Sequence, residues 1–404
     1  MRHGDHRIVA SGSVLPRRSF SQGLRLTLCL ALGLVLVACG EKKKPDNPKQ
    51  FSADRCTKSQ WAICLKQCQS GHAKSCSVVG TIFESGSGVE QSYVKAAKYY
   101  RNACNLTHYA ACAALGRLYD DRILLTESPK LAAELFDKAC LGESPAGCYR
   151  LGMITLKGRG VDMDPARTGQ LWQKACKADY APACTGLGSL FAKTGDDKQA
   201  LAFYEKGCKA KDLDGCTHLA RFWVEKAPVK DYHRAAKLFE QSCQGGHREA
   251  CAFLGNAFGT GQGVKKDLAR AVALNKEACD KGTPLGCYHL AGYYARGKGV
   301  EKDQAKSIKL YETACDAKLG SACTLLAFRL GQSSVRNDFR LFKLYEKACK
   351  YGEPIGCCML GDCYNEGKGV AQDLDKAVEN FHKACDGGHQ PCCKRINKLR
   401  IPSE

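Results

Sequence analysis

Cysteine is the residue type with the most chemistry to offer in this chain, at 27 of 404 positions. A thiol can ligate a metal, exchange electrons or close a disulfide, and spacing separates these uses. Zinc sites and thioredoxin-type centres draw on C-x-x-C clusters, and no C-x-x-C occurs here. Instead, twenty cysteines form ten pairs with seven residues between the members: Cys68/Cys76, Cys104/Cys112, Cys140/Cys148, Cys176/Cys184, Cys208/Cys216, Cys243/Cys251, Cys279/Cys287, Cys315/Cys323, Cys349/Cys357 and Cys385/Cys393. Successive pairs begin 32 to 36 residues apart. Disulfides persist in exported proteins and are rare in cytosol, so the ladder points to ten bridges, an oxidising compartment, and neither metal nor cofactor.

Hydrolytic chemistry has two further candidates. A serine acyl-transfer site needs a nucleophile in S-x-x-K and a K-T-G strand facing it. The chain contains Ser92-Tyr-Val-Lys95 and Lys193-Thr-Gly195, but no S-D-N element. His247, His289 and His389 belong to no H-E-x-x-H. His72, His247 and His389 each follow a glycine after a predicted helix, where proximity to the helix C-terminus favours a protonated ring.

The elements that position these residues repeat with the cysteines. A fixed period of this size means a solenoid rather than two or three separate domains. From Cys287, apolar or small residues recur at offsets 0, 3, 4 and 7 (Leu290, Ala291, Tyr294), which is one face of an α-helix. Leu254, Gly255 and Phe258 repeat the pattern, as do Leu360, Gly361 and Tyr364; the small residue lets a neighbouring helix approach closely. Gly297-Lys-Gly299-Val300 then breaks the helix, and the loop returns at Gly86, Gly158, Gly261 and Gly367. Asp303 stands where the next helix needs its N-cap, with Asp164, Asp267 and Asp373 in the same register. Ser92 and Lys95 occupy this cap register, and Lys193-Thr-Gly195 falls in an inter-helix turn about three units away. The register therefore reads both motifs as structural. Each C-x7-C spacer joins the end of one unit's second helix to the start of the next unit's first, a separation that a disulfide can span.

The N-terminus reads as an export leader. Arg17, Arg18 and Arg25 precede an apolar run from Leu26 to Ala38 that is short for a membrane span. The run ends Leu36-Val37-Ala38-Cys39-Gly40, which resembles a bacterial lipoprotein box with Cys39 as the lipidated residue. Expected boundaries are a leader over 1–38, a flexible tether over 39–53, an N-terminal capping helix within 54–71, a solenoid over 72–393, and a C-terminal helix end and tail over 394–404, the C-terminal helix itself being read over Gln390–Leu399. Formal net charge is +20. Much of it is Lys on second helices (Lys138, Lys174, Lys206, Lys347 and Lys383), read as a solvated face; an acidic partner surface is compatible with it. A nucleic-acid partner is not expected of an exported protein.

The Leu-Gly-x-x-Tyr register, the Gly-x-Gly-Val loop, the Asp cap and the Lys-Ala-Cys ending resemble the Sel-one-like repeat family, relatives of the tetratricopeptide repeat. The x7 cysteine pairs are similar to its cysteine-rich, Hcp-like bacterial lipoprotein branch. The resemblance covers about 72–393 and implies a right-handed, all-α solenoid of nine helix pairs, counted from Cys76, Cys112, Cys148, Cys184, Cys216, Cys251, Cys287, Cys323 and Cys357. The units at Cys112, Cys184, Cys216 and Cys323 lack the Gly-x-Gly-Val loop, so their turns must be built differently.

What the resemblance implies about function is a membrane-anchored scaffold, outer membrane favoured, that binds a protein or peptide on its concave face. Non-core positions of the first helices are the groove candidates: Arg150, Thr185, His218, Asn256, His289 and Arg296. The branch also carries an alternative, a penicillin-binding protein or weak β-lactamase. A disulfide-exchange role is a further rival. No catalytic residue is assigned.

Five cysteines stand outside the ladder and the leader: Cys56, Cys64, Cys358, Cys363 and Cys392. In one continuous helix Cys56 and Cys64 would lie ~12 Å apart, too far to bridge, so the segment bends or they are not partners. Cys358–Cys392 is the simplest extra bond, since both adjoin ladder cysteines. A leftover thiol is expected to be buried and inert.

Overall fold

Repeated helix signals produce repeated helices. The structure, a computed structural model, describes residues 61–121, 123, 128–332 and 336–399. The expected leader, Cys39, the tether and Cys56 lie outside the described residues. Helices α1 (Trp61–Gln69) and α20 (Gln390–Leu399) flank nine helix pairs. The first members are α2 (Ala73–Ser85), α4 (Tyr109–Asp120), α6 (Pro145–Lys157), α8 (Ala181–Thr194), α10 (Leu213–Glu225), α12 (Arg248–Thr260), α14 (Pro284–Arg296), α16 (Gly320–Gly331) and α18 (Pro354–Glu366). The second members are α3 (Tyr93–Asn105), α5 (Pro129–Leu141), α7 (Pro165–Lys177), α9 (Asp197–Lys209), α11 (Tyr232–Gln244), α13 (Leu268–Asp280), α15 (Gln304–Asp316), α17 (Asp338–Lys350) and α19 (Leu374–Asp386). The described residues contain no strand. Helices pack chiefly on their neighbours in sequence, which makes the chain an all-α solenoid.

Caps set the helix starts. Every second helix is opened by a side chain that accepts the backbone N–H three residues on: Ser92, Ser128, Asp164, Asp196, Asp231, Asp267, Asp303, Asn337 and Asp373. Each first helix begins three residues before its cysteine, earlier than the cysteine count implied. The spacer is spent on a three-residue turn, and its fourth residue is already an N-cap. The C-terminal helix α20 covers Gln390–Leu399, the range read from the sequence, with Cys393 as its fourth residue. The turn before it is built like those of the other C-x7-C spacers.

Two small-residue registers govern packing. The residue four after each first-helix cysteine faces the second helix of its own unit. A Cβ added at Gly80 would press on the Tyr100 ring, at Gly116 on Phe136, at Gly152 on Trp172 and at Gly361 on Phe381. The small residue thus admits an aromatic ring rather than a bare helix backbone. At Gly160, Gly263, Gly299 and Gly369 the second glycine of the Gly-x-Gly-Val loop faces the preceding unit, whereas at Gly88 an added Cβ would meet nothing within 4 Å. At Gly263 (φ +75°) an added Cβ would run into the Tyr232 backbone at the start of α11, and Gly369 is held in the same way against Asp338. The loop is both a helix stop and a contact between units.

Candidate functional site

The unit junctions are built first by cysteine. In each of the ten x7 pairs the two cysteines are bridged, with Cα–Cα separations of 4.3 to 4.9 Å. The last of them, Cys385–Cys393, differs in what it joins. Its Cα atoms are 4.9 Å apart, and it ties α19 to the single helix α20 rather than to a further helix pair. Cys393 is half-buried, as is Cys251 at the same register, whereas Cys76, Cys112, Cys148 and Cys184 are buried. Its Sγ lies 3.8 Å from the His389 carbonyl.

The turn within each spacer has one residue in the left-handed region, three after the first cysteine. It is glycine at Gly71 and Gly246, but Thr107, Glu143, Asp179, Lys211 and Lys318 in other units. Left-handed backbone costs a non-glycine residue about 1–2 kcal/mol, and the disulfide holds it closed.

Beyond the ladder, Cys358 and Cys392 are bridged with Cα atoms 6.0 Å apart, tying α18 to α20. With Cys392 and Cys393 both bonded, α20 is fastened to two different helices. Cys64 is disulfide-bonded. Among the described residues, Cys363 is the free cysteine, and it is buried. Burial pushes its thiol up to about 11, so it stays protonated and behaves as a small hydrophobe. Cys358, His389 and Cys392 hold their donor atoms within 4.8 Å of one another, but the bridge already takes both sulfurs.

Second-helix lysines reach back across the junctions. Lys174 Nζ donates to the Cys140 carbonyl at 2.9 Å, and Lys206 Nζ to that of Cys176 at 2.8 Å. These carbonyls end the preceding second helices, where a cation also meets the negative end of the helix dipole. Lys347 pairs with Asp316 at 3.0 Å. A face read as merely solvated thus carries inter-unit bonds.

The histidines correct an expectation. His72 and His247 are N-caps of α2 and α12, and His389 immediately precedes α20. With so short a junction, a residue just past one helix is already the start of the next. His247 Nδ1 accepts the Ala250 N–H at 3.1 Å, and its Nε2 lies 2.6 Å from Asp214 Oδ1. The hydrogen bond to Asp214 raises the His247 pKa, and the same bond lowers that of Asp214.

Thr217 Oγ1 is 3.2 Å from His247 Nδ1, which completes a hydroxyl–imidazole–carboxylate chain. The chain lacks the features of a nucleophilic site. Thr217 is 3% exposed and donates its proton to the Leu213 carbonyl at 2.7 Å. The Nδ1 lone pair that would serve as base is taken by Ala250.

Ser92 and Lys193-Thr-Gly195 are equally occupied. Ser92 Oγ accepts the Lys95 N–H at 3.3 Å as the α3 N-cap. Lys193 and Thr194 end α8, and Gly195 is its left-handed C-cap. The first motif opens α3 and the second closes α8, in units that are not neighbours.

The six groove candidates divide. Thr185 is buried, its hydroxyl held 2.5 Å from Asp212 Oδ2. His218 stacks on Tyr204 at 5.1 Å between ring centres, and burial lowers its pKa. Burial likewise takes His289 down to about 4 and leaves its Nε2 without a partner. Arg150 pairs with Asp121 at 3.6 Å. Asn256 is half-buried and Arg296 exposed.

Successive first helices also touch: α4 with α6, α8 with α10, α12 with α14 and α16 with α18. Several of their seams are filled by the residue six after the cysteine. Tyr293 of α14 lies over α12, its hydroxyl donating to the Gly255 carbonyl at 3.4 Å, and Ile82, Leu118 and Ile154 are buried at the same register. Where that residue is small, a cavity opens. Ala257 lines one of about 130 Å³. Cys363 lines one of about 250 Å³ between α16, α17 and α18. A small residue at offset six is the signal in the sequence that locates both.

Comparison with known proteins agrees with the geometry. The Sel1 repeat family model matches residues 73–108, 110–144, 145–180, 181–212, 224–247, 248–283, 284–319 and 354–389. Beta-lactamase HcpA of Helicobacter pylori is 50% identical over 52 residues, which are 12% of this chain and 21% of that protein. The chain therefore matches about a fifth of HcpA's length. Among solved structures, the chain is similar to c5321, described as a protective antigen of uropathogenic Escherichia coli strains with an SLR fold. There the identity is 23% and the TM-score 0.52, over 84% of this chain and 74% of that one. A Sel1 repeat protein from Oxalobacter formigenes is 20% identical with a TM-score of 0.41, over 84% and 89% of the respective chains.

Proposed function

This chain belongs to the Sel1 repeat family, and from that premise we propose that it is an exported, lipid-anchored scaffold whose first helices bind a protein or peptide partner. The observation that carries the reading is the layer of first helices. First helices pack on one another at alternate junctions (α4 with α6, α8 with α10, α12 with α14, α16 with α18), whereas successive second helices are joined by side-chain ion pairs and lysine-to-carbonyl bonds. A solenoid with one layer packed more tightly curves toward that layer, and the concave side offers a long groove for an extended segment.

Charge along that layer is arranged in pairs that bridge units. Glu84, Arg117, Asp121 and Arg150 form one chain of contacts. Arg395 pairs with Asp362 at the other end. Arg296 and Asn256 lie between and suit the role of partner contacts; arginine is a frequent anchor in protein interfaces.

The disulfide ladder and an Hcp-like relative favour an extracytoplasmic location. Cys39 following an apolar run is the reason for placing the chain on a membrane by a lipid, with the outer membrane as destination and 39–53 as the tether. No helix among the described residues is long and apolar enough to cross a membrane.

The β-lactamase alternative draws on the name of HcpA, and the S-x-x-K and K-T-G motifs it would need are committed to a cap and a turn. The test has two arms. Immobilised mature chain is offered cell-envelope extract, beside an Asn256→Glu/Arg296→Glu variant. A specific partner retained by the natural chain and lost by the variant supports the scaffold; equal retention overturns the assignment to the first-helix layer. Hydrolysis of a chromogenic cephalosporin that disappears with Ser92→Ala would replace the scaffold reading with the enzymatic one.

A further inference from the structure

The family model matches neither α16 nor α17, and the structure departs from its own rule at the same place. Cys363 and Tyr293 occupy equivalent positions, six residues after Cys357 and Cys287. Tyr293 lays its ring across Gly255 and Gly259 of the preceding first helix, where a Cβ at Gly259 would collide with the Tyr293 hydroxyl. The register-equivalent residues facing Cys363 are Ala327 and Gly331. A Cβ at Gly331 would meet only Leu341 Cδ1, at 3.4 Å. A thiol stands where a phenol ring stands elsewhere, and the difference is open as the cavity of about 250 Å³.

We propose that this cavity is a socket for an aromatic side chain, tyrosine or phenylalanine, of the bound partner. The inference rests on the scaffold reading and adds the chemistry of one anchor. Three observations converge on that occupant. The equivalent gap one repeat pair earlier is filled by a tyrosine ring, so the backbone frame already fits one. The walls are mostly apolar (Ala327, Leu341, the body of Tyr345 and the Cys363 thiol), with Gln332, Arg336, Asp338 and Lys368 completing the lining. Phe328, beside the cavity on the first-helix layer, is 53% exposed, an apolar residue with no covering element among the described residues. Aromatic side chains that fill a desolvated pocket carry a large share of interface energy.

An anionic ligand is a poorer fit. Arg336 and Lys368 stand at the rim and are paired with Asp338 and Glu366. An anion would have to displace those carboxylates.

The test uses the full mature chain and N-acetyl-tyrosinamide as probe, followed by saturation-transfer NMR, with N-acetyl-leucinamide as comparison. Saturable binding of the tyrosine amide at least fivefold tighter than the leucine amide is expected. Cys363→Phe, which fills the cavity as Tyr293 fills its own, should abolish it, and Cys363→Ala should retain it. Alkylation of Cys363 in the unaltered chain, run at alkaline pH where its raised pKa still yields thiolate, gives a second readout independent of any variant's folding: the tyrosine amide should slow it and the leucine amide should not. Equal binding of both amides, binding that survives Cys363→Phe, or unprotected Cys363 overturns the socket. The probe carries no partner protein, so its failure removes the socket alone; the scaffold reading falls only if the capture experiment fails.

Discussion

Gly263 and Gly88 hold the same place in the Gly-x-Gly-Val loop and have different neighbours. Both are left-handed, at φ +75° and +77°. Alanine at either costs about 1–2 kcal/mol in backbone strain. At Gly263 the added Cβ must also displace the Tyr232 backbone of the preceding unit, whereas at Gly88 it meets nothing. Gly263→Ala should therefore lower the calorimetric midpoint clearly more than Gly88→Ala, and equal shifts would mean that the loop does not fasten units. A second residue-scale prediction concerns His247, whose pKa is raised above its ordinary 6.5 by Asp214. Its contribution is fully present below that value and is lost as pH rises through the raised one. Asp214 works in the opposite direction, with a lowered pKa whose contribution is lost only in acid. Stability of the natural chain should fall relative to His247→Gln as pH climbs from 6 to 8.5 in urea titrations; parallel profiles would remove the ion pair from the account. Such detail is only partly legible in the sequence. The Asp caps can be read because capping is local. The histidines read at the wrong helix end, since a three-residue turn makes one residue adjacent to both helices.

Among elements, the junction has the largest effect. Closing a loop as short as a C-x7-C spacer is worth about 2–3 kcal/mol in the chain-entropy account. Replacing Cys243 and Cys251 together by serine should lower stability by about that amount. The loss should appear as a separate early transition, because a solenoid couples each unit mainly to its neighbours. A single unshifted transition would contradict this. Exposed ion pairs add less. Arg167 meets Asp137 and Arg234 meets Glu205 at 3.3 Å, and Arg340 meets Glu312 at 3.1 Å, each joining one second helix to the previous one. Half-exposed pairs of this kind contribute under about 1 kcal/mol each. The cysteine pairs, the helix pairs and the small-residue register are readable because each depends on spacing within one unit. The seam between first helices is not, because its partners lie a whole repeat apart and only the assembled units show that offset six faces backward. For the same reason Cys363 looks like a leftover in the sequence, and its meaning lies in the ring it replaces.

At the scale of the molecule, the repeat period dictates the architecture and leaves the partner open, since many ligands can share one groove. The basic surplus, about +16 once the expected leader is discounted, suits an acidic partner surface. The central claim is that the layer of first helices is the binding face. Site-specific photocrosslinking in intact cells addresses it directly, with a benzophenone amino acid placed at Asn256 or Phe328 on first helices, or at Glu312 or Lys350 on second helices. The account predicts a discrete protein adduct from the first-helix positions and none from the second-helix ones. Adducts of equal strength from both layers, or from the second helices alone, would contradict it.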